Sequence, residues 1–151
     1  MLARLRRFSG LPGAAKMLFL RTALLLPAIR LSLRLRGFRT TQRFLEARVA
    51  PARPPLSEAA AERDSLMVSR MVAAAARYCP IPSSCLERSM ALWWLLARRG
   101  IAAQLRIGAR KDAGKFEAHA WVERNGTAIG EPESWHLHYQ AFDKEFSREL
   151  T

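Results

Sequence analysis

The apolar residues of the N-terminal third recur at helical spacing. Over residues 17–48 they are Leu18, Leu20, Leu24, Leu25, Ile29, Leu31, Leu33 and Leu35, interleaved with arginines. This period predicts amphipathic helices. Pro27 should end or kink the first helix and Gly37 should break the second, because neither residue suits a helix interior. Thr40 or Thr41 is then placed to cap a third helix.

A further helix is predicted after a proline-rich stretch. Residues 50–55, Ala-Pro-Ala-Arg-Pro-Pro, are the clearest linker in the chain. Ser57 then starts a helix that runs to about Tyr78, where two prolines stop it. Its predicted apolar side consists of Leu66, Met67, Met71, Val72 and Ala75. The chain therefore divides into residues 1–55 and residues 56–151.

The next predicted helix carries a cysteine at its first position. Ser84 and Glu87 have the S-x-x-E spacing of a capping box, directly before a long apolar run. Ser84 as the N-cap makes Cys85 the first helical residue. The residues that share its helix face are Ser89, Leu92 and Leu96. Gly100 suits the left-handed position beyond the end of this helix.

Beyond this helix the hydrophobic period changes to two, which indicates strands. The predicted strands cover residues 103–110, 116–123 and 127–130. Asn125 and Gly126 favour a tight hairpin loop between the second and the third. In the second strand, the residues predicted to face the core are Phe116, Ala118, Ala120 and Val122, and those predicted to face away are Glu117, His119, Trp121 and Glu123. Residues 135–150 mix aromatic and charged side chains and give no assignment.

Positive charge is concentrated in the N-terminal third. Residues 1–55 hold 12 Lys/Arg against one acidic residue, a net of +11, and residues 56–151 hold 13 against 12, a net of +1, which together make the +12 of the chain. Such a region suits nucleic acid, anionic lipid or an acidic protein, or is the solvated face of amphipathic helices. No zinc-finger spacing, RNA-binding aromatic signature or basic zipper selects nucleic acid.

The apolar stretches do not predict a membrane segment. The longest uncharged one near the start, Thr22–Ile29, is far shorter than the roughly 20 residues of a spanning helix. Lys16 and Arg21 interrupt the apolar core that a signal peptide needs. With neither a spanning segment nor a signal peptide predicted, we expect a cytoplasmic protein, and in that reducing compartment Cys79 and Cys85 should be free thiols. The Cys and His residues have no paired metal-ligand spacing, and neither a metal nor a cofactor is predicted.

Cys85 and His119 are candidates for a nucleophile and its base. A thiol reacts as the thiolate, and the unpaired N–H groups and dipole at a helix start favour that negative charge. The same N–H groups suit the oxyanion of a tetrahedral intermediate. His119 lies on the strand face away from the core, beside a tryptophan that would shield the site from water.

The hairpin loop decides which group lies opposite the histidine. With a two-residue Asn–Gly loop, His119 falls opposite Pro132. With a three-residue loop over residues 124–126, His119 falls opposite Glu131. Only the second register brings a carboxylate to the imidazole, so we predict the three-residue loop and Glu131 as the third catalytic residue.

The same residues also suit ordinary structural roles. A lone cysteine at a helix start, such as Cys85, is often a small buried hydrophobic residue. A strand histidine such as His119 is often structural, and Glu131 can be an ordinary solvated acid. Cys79 has neither a cap nor an obvious base, and we interpret it as a buried thiol.

Four segments form a specific ordered pattern. They are residues 84–92 (SCLERSMAL), 96–103 (LARRGIAA), 106–110 (RIGAR) and 116–123 (FEAHAWVE). This run resembles the transglutaminase-like leader peptidases of lasso peptide biosynthesis. The resemblance covers roughly residues 56–131, and the Leu/Arg-rich N-terminal third is also similar to that family's.

The resemblance implies a cysteine protease that removes the leader peptide from a ribosomally made precursor. A separate cyclase, which uses ATP, then joins the freed amino terminus to an Asp or Glu side chain and closes the macrolactam ring. No cofactor is implied for this chain. Cys85 matches the nucleophile of the family and His119 its histidine, and Glu131 stands where the family usually has Asp.

The family occurs in two forms, which differ at the N-terminus. One form carries a fused leader-recognition domain that contains a three-stranded sheet. Residues 1–55 lack strand alternation, so the chain resembles the split form. The implied partners are the precursor peptide, a separate leader-recognition protein and the cyclase, and the basic helices are a candidate surface for any of them.

The expected fold is therefore α+β. A papain-like, transglutaminase-like catalytic core over residues 56–151 would pack the Cys85 helix on an antiparallel sheet, preceded by a basic helical region over residues 1–55. The expected activity is leader-peptide cleavage by Cys85, His119 and Glu131. Two alternatives stay open: another acyltransferase or amidase of the same fold, and a non-enzymatic adaptor that binds acidic partners through residues 1–55.

Overall fold

A computed structural model of the chain describes residues 12–49, 56–112, 115–131 and 138–142. The described elements are the helices α1 (Gly13–Glu46), α2 (Glu58–Tyr78) and α3 (Cys85–Ala97) and the strands β1 (Gln104–Asp112), β2 (Lys115–Arg124), β3 (Thr127–Ala128) and β4 (Gln140–Ala141). The predicted linker at residues 50–55 and most of the unassigned tail lie outside the described residues. The α+β class predicted from the sequence is confirmed.

Helix α1 is broken at one of the two predicted positions. Gly37 leaves the helical conformation with φ 76° and ψ 175°. Pro27 lies inside the helix and does not end it, because Leu26 and Ile29 on either side are anchored in the core, each 2% exposed. The helix resumes directly after Gly37, so neither Thr40 nor Thr41 caps it.

Helix α2 begins and ends as the sequence predicts. The hydroxyl of Ser57 accepts a hydrogen bond from the backbone N–H of Ala60 at 3.4 Å, and the helix ends at Tyr78. Its buried residues, spaced by four and three positions, are Ala61, Ser65, Val68, Val72 and Ala75. Leu66 was predicted to belong to this side and is 46% exposed, because it lies one position away from the stripe that faces the core.

The three helices share one hydrophobic core. Leu18, Leu26 and Ile29 of α1 lie in the same cluster as residues of α2, α3 and the sheet. The indole N–H of Trp94 on α3 donates to the carbonyl of Leu45 at the end of α1 at 2.8 Å. The division of the chain at residue 55 stays a prediction. Among the described residues, no helix combines the length and apolarity that crossing a membrane requires.

The sheet is antiparallel, with the strand order β3–β2–β1–β4. Arg124 pairs with Thr127, so the loop between β2 and β3 has two residues and the predicted three-residue loop is wrong. Asn125 and Gly126 both have positive φ, 51° and 75°. This is the backbone of a type I′ turn, whose twist matches that of the flanking strands.

The two halves of β2 have different surroundings. Residues 115–118 are all exposed, and residues 119–122 are all buried. The prediction that Phe116 and Ala118 face the core is therefore wrong, since both are exposed like the rest of the first half of the strand. In the second half both faces are covered: α3 packs on one, and Tyr139 contacts the rings of His119 and Trp121 on the other.

Candidate active site

Cys85 is the first residue of a capped helix. The hydroxyl of Ser84 accepts from the backbone N–H of Glu87 at 3.3 Å, and the Glu87 carboxylate accepts from the backbone N–H of Ser84 at 2.9 Å. The predicted capping box is confirmed. It engages the N–H groups of Ser84 and Glu87 and leaves those of Cys85 and Leu86 outside its own hydrogen bonds.

Helix α3 is joined to the strand that carries His119. Ser89, one turn after Cys85, donates its hydroxyl to the carbonyl of Ala120 at 2.8 Å. Ser89 and Ala120 are both buried. Because Ala120 directly follows His119, this bond fixes the tip of α3 relative to the histidine.

His119 is enclosed by acidic and aromatic side chains. Its Nε2 lies 3.3 Å from Oε1 of Glu131, and the residue is 8% exposed. The Trp121 ring stacks nearly parallel to it, with centroids 6.1 Å apart and an angle of 12°. The ring of Tyr139 approaches to 5.2 Å. These contacts restrict the orientation of the imidazole and limit the access of water.

Glu131 reaches His119 by a route that strand pairing alone does not provide. The pairing of β2 with β3 continues to Ile129, whose N–H donates to the carbonyl of Val122 at 2.8 Å. Gly130 then adopts φ +77° and turns the chain out of the strand. The predicted contact between His119 and Glu131 is present, although the register from which it was deduced is wrong.

A cavity of about 80 Å³ lies between α2, α3 and the ends of β2 and β3. Ser69, Val72 and Ala73 form its α2 wall. Cys85 lies on the α3 wall, and Glu131 lies on the wall that follows β3. The candidate nucleophile and the acid that contacts the histidine therefore face one cavity.

Tyr139 belongs to this site and was missed by sequence reasoning. Its hydroxyl donates to Oε2 of Glu117 at 3.3 Å, and the guanidinium of Arg110 lies 4.9 Å from its ring centroid. Burial raises the pKa of Tyr139, and the positive charge of Arg110 opposes this shift. Residues 138–142 form too short an element to give a sequence signal.

Trp121 is also fixed by contacts that no sequence pattern indicates. Its indole N–H donates to Glu123 at 2.7 Å, and Glu123 forms an ion pair with Arg106 at 3.5 Å. The ring lies over Gly108, the residue paired with His119 across the strands. A β-carbon at Gly108 would come within 2.8 Å of the Trp121 ring, so a larger residue would displace it.

The arrangement is a thiol at a helix start, a buried histidine on an adjoining strand and an acid in contact with that histidine. Residues 25–142, well over half of the chain, match the transglutaminase-like superfamily. The chain therefore belongs to the transglutaminase-like superfamily, which includes cysteine proteases and acyltransferases. No curated protein and no solved structure matches the chain.

Proposed function

We propose that this chain is a cysteine peptidase that removes the leader peptide from a lasso peptide precursor. Cys85 is the nucleophile, His119 the proton carrier and Glu131 the group that orients the imidazole. The observation that carries the proposal is the shared cavity: it is lined by Cys85 at a capped helix start and by Glu131, which contacts His119.

The first step is attack of the Cys85 thiolate on the scissile peptide carbonyl. The carbon–sulfur bond forms, and the carbonyl oxygen takes the negative charge. The backbone N–H groups of Cys85 and Leu86 lie at the helix start, outside the capping box, and are suited to stabilise that oxyanion. Helix starts favour negative charge for the same reason.

His119 carries the proton between the thiol and the leaving group. Because its Nε2 contacts Glu131, its Nδ1 is the nitrogen that exchanges a proton with the thiol and with the leaving amine. The imidazolium donates to the amine as the peptide bond breaks, which leaves an acyl-enzyme. A water molecule, deprotonated by His119, then hydrolyses the thioester and restores the thiol.

The choice of substrate rests on the sequence resemblance. The four ordered segments between residues 84 and 123 are similar to those of the leader peptidases. In the split form that the chain resembles, a separate recognition protein presents the leader and an ATP-using cyclase acts on the product. We place the reaction in the cytoplasm with these partners, where Cys79 and Cys85 would stay free thiols.

Cleavage of a precursor peptide tests the proposal directly. The full chain, mixed with a lasso peptide precursor and a leader-recognition protein, should release a free leader that mass spectrometry detects. Cys85→Ala should abolish this release and leave the circular dichroism spectrum unchanged, whereas Cys79→Ala should cleave normally. Cleavage by the Cys85→Ala variant would show that another residue is the nucleophile.

The reactivity of the Cys85 thiol tests its assignment as the nucleophile without the partner proteins that cleavage requires. Iodoacetamide should alkylate Cys85 in the Cys79→Ala protein faster than in the same protein with His119→Ala. Equal rates would contradict an activated Cys–His pair.

The products distinguish a peptidase from an acyltransferase of the same superfamily. Hydrolysis of the acyl-enzyme gives a leader with a free carboxylate. Transfer gives a new amide when an amine such as putrescine is added at high concentration. We expect the free carboxylate to predominate, because the proposed second step uses water.

A further inference from the structure

Helix α1 presents an apolar stripe on the side that faces away from the core. Its members are Met17, Leu20, Leu24, Ala28, Leu31 and Leu35. They follow one another at intervals of three and four residues over five turns, entirely before the break at Gly37. Leu24 and Leu35 are 76% and 74% exposed, and Leu31 is 58% exposed. Aligned, exposed leucines of this kind mark an interaction surface.

The width of the stripe indicates what it binds. At about 100° per residue, its six members fall within roughly 80° of the helix circumference. A stripe this narrow is typical of a coiled-coil seam, in which one helix packs along another. A helix that lies in a lipid surface exposes a broader apolar face, and here the opposite side of α1 is already buried in the core.

The charges beside the stripe indicate that the partner is negatively charged. Arg21 borders one side, and Lys16 and Arg34 border the other. Over residues 12–49 the acidic residue is Glu46, which accepts a hydrogen bond from Gln42 at 3.0 Å and lies beyond the end of the stripe. A second copy of the chain would bring these cations against each other, so self-association along this face is unfavourable.

We propose that the exposed stripe of α1 docks an amphipathic helix of a partner protein, one whose own apolar seam is flanked by Asp or Glu. The leucines of α1 provide the buried seam. Arg21 and Arg34 form ion pairs with the Asp or Glu residues that flank the partner's seam, as the charged flanking positions of a coiled coil do. This docking does not depend on the proposed peptidase activity, because the stripe lies on the opposite side of α1 from the core that holds the cysteine helix.

A designed peptide tests the surface without knowledge of the natural partner. The probe is a fluorescein-labelled three-heptad helix with Leu at the seam positions and Glu at the flanks, which repel one another and keep the peptide monomeric. Titration with the full chain should raise the fluorescence anisotropy, and the affinity should fall as salt is added. A peptide with the same leucines and Lys flanks should bind at least about tenfold more weakly.

Variants locate the binding on α1. Leu24→Gln and Leu31→Gln should each weaken binding of the acidic peptide by about tenfold or more, since each removes an apolar side chain from the centre of the seam. Leu66→Gln, at an exposed leucine of α2, is the matched control and should bind like the original chain. All three variants should retain the original thermal unfolding midpoint.

Several results would overturn the proposal. Equal affinity for the acidic and basic peptides, or unchanged affinity in Leu24→Gln, would show that the stripe is not the binding surface. Sedimentation as a dimer that Leu24→Gln dissociates would make a second copy the occupant. Binding to vesicles of phosphatidylcholine and phosphatidylglycerol without binding to the acidic peptide would make a lipid surface the occupant.

Discussion

Arg110 forms an ion pair with Glu117. Glu117 accepts a hydrogen bond from Tyr139, and the ring of Tyr139 contacts His119. The side chains of Arg110 and Glu117 are 2.6 Å apart. The hydrogen bond and the charge of Arg110 lower the pKa of Glu117. A carboxyl group with a lowered pKa in the folded protein stabilises the fold above its ordinary pKa, and that stabilisation is lost as the pH falls through the lowered value.

Arg110→Gln should raise the pKa of Glu117 towards the ordinary range of a glutamate. A carbon-detected NMR titration of the Glu117 carboxyl measures this directly, with Arg70→Gln, exposed on α2, as the control. Any stability difference between the variant and the original chain should be present at neutral pH and disappear in acid. An unchanged titration of Glu117 would contradict the role assigned to Arg110.

Glu131 of the candidate site stands where the family that the chain resembles usually has an aspartate. Glu131→Gln keeps a carbonyl oxygen near Nε2 of His119 but removes the charge that stabilises an imidazolium. We expect the proposed cleavage of a precursor to slow by at least about tenfold. Glu62→Gln, exposed on α2, should cleave at the original rate. An unchanged rate in Glu131→Gln would mean that Glu131 is an ordinary solvated acid.

At the scale of elements, Gly130 both ends the pairing of β3 and packs against α2. Its φ of +77° is unfavourable for any residue with a β-carbon, and a β-carbon there would collide with the side chain of Ser69. Gly126 has a similar φ of +75° but open space around it. Comparing alanine substitutions at the two glycines therefore separates the free-energy cost of backbone strain from that of a steric collision.

Gly126→Ala should lower the free energy of unfolding by about 1–2 kcal/mol, from backbone strain alone. Gly130→Ala should lower the free energy of unfolding by about 1–3 kcal/mol more than Gly126→Ala does, because the collision with Ser69 is added to the backbone strain. Urea unfolding measures both. Ser69→Ala in the Gly130→Ala background should recover part of the loss, since the Ser69 hydroxyl is the atom nearest to the added carbon. Equal effects of the two glycine substitutions would contradict the close packing.

At the scale of the whole molecule, α1 contributes to the same core as the cysteine helix. Leu26 is 2% exposed and Leu24, two positions earlier, is 76% exposed. Leu26→Ala should cost about 2–5 kcal/mol, because it opens a cavity in that core. Leu24→Ala should change the free energy of unfolding by no more than about 0.5 kcal/mol.

The same variant tests the predicted boundary at residue 55. All four tryptophans lie in residues 56–151, so their fluorescence reports chiefly on that part of the chain, and Trp94 also senses its contact with Leu45 of α1. If α1 and the rest unfold together, Leu26→Ala should shift the fluorescence and circular dichroism transitions equally. A shift that is clearly larger by circular dichroism than by fluorescence would show that residues 1–55 unfold as a separate unit.

The parts that the sequence alone determined are those set by local chemistry. The capping box at Ser84, the start of α2 at Ser57 and the break at Gly37 were all predicted, because each depends on residues within one helical turn. The Asn–Gly pair marked the position of the hairpin for the same reason, although the three-residue loop predicted there is wrong. The capping box likewise placed Cys85 at a helix start, and the period of two placed His119 on a strand.

Only the tertiary structure decided what depends on distant packing. The burial of β2 does not alternate, because its first half is exposed and its second half is covered on both faces. Tyr139 joins the site through a two-residue strand that has no pattern of its own. Glu131 reaches His119 because Gly130, which follows β3, turns against Ser69 on α2, a contact between positions that are remote in sequence. Local patterns report on local conformation, whereas the direction of a chain beyond a strand end is set by the surfaces on which it packs.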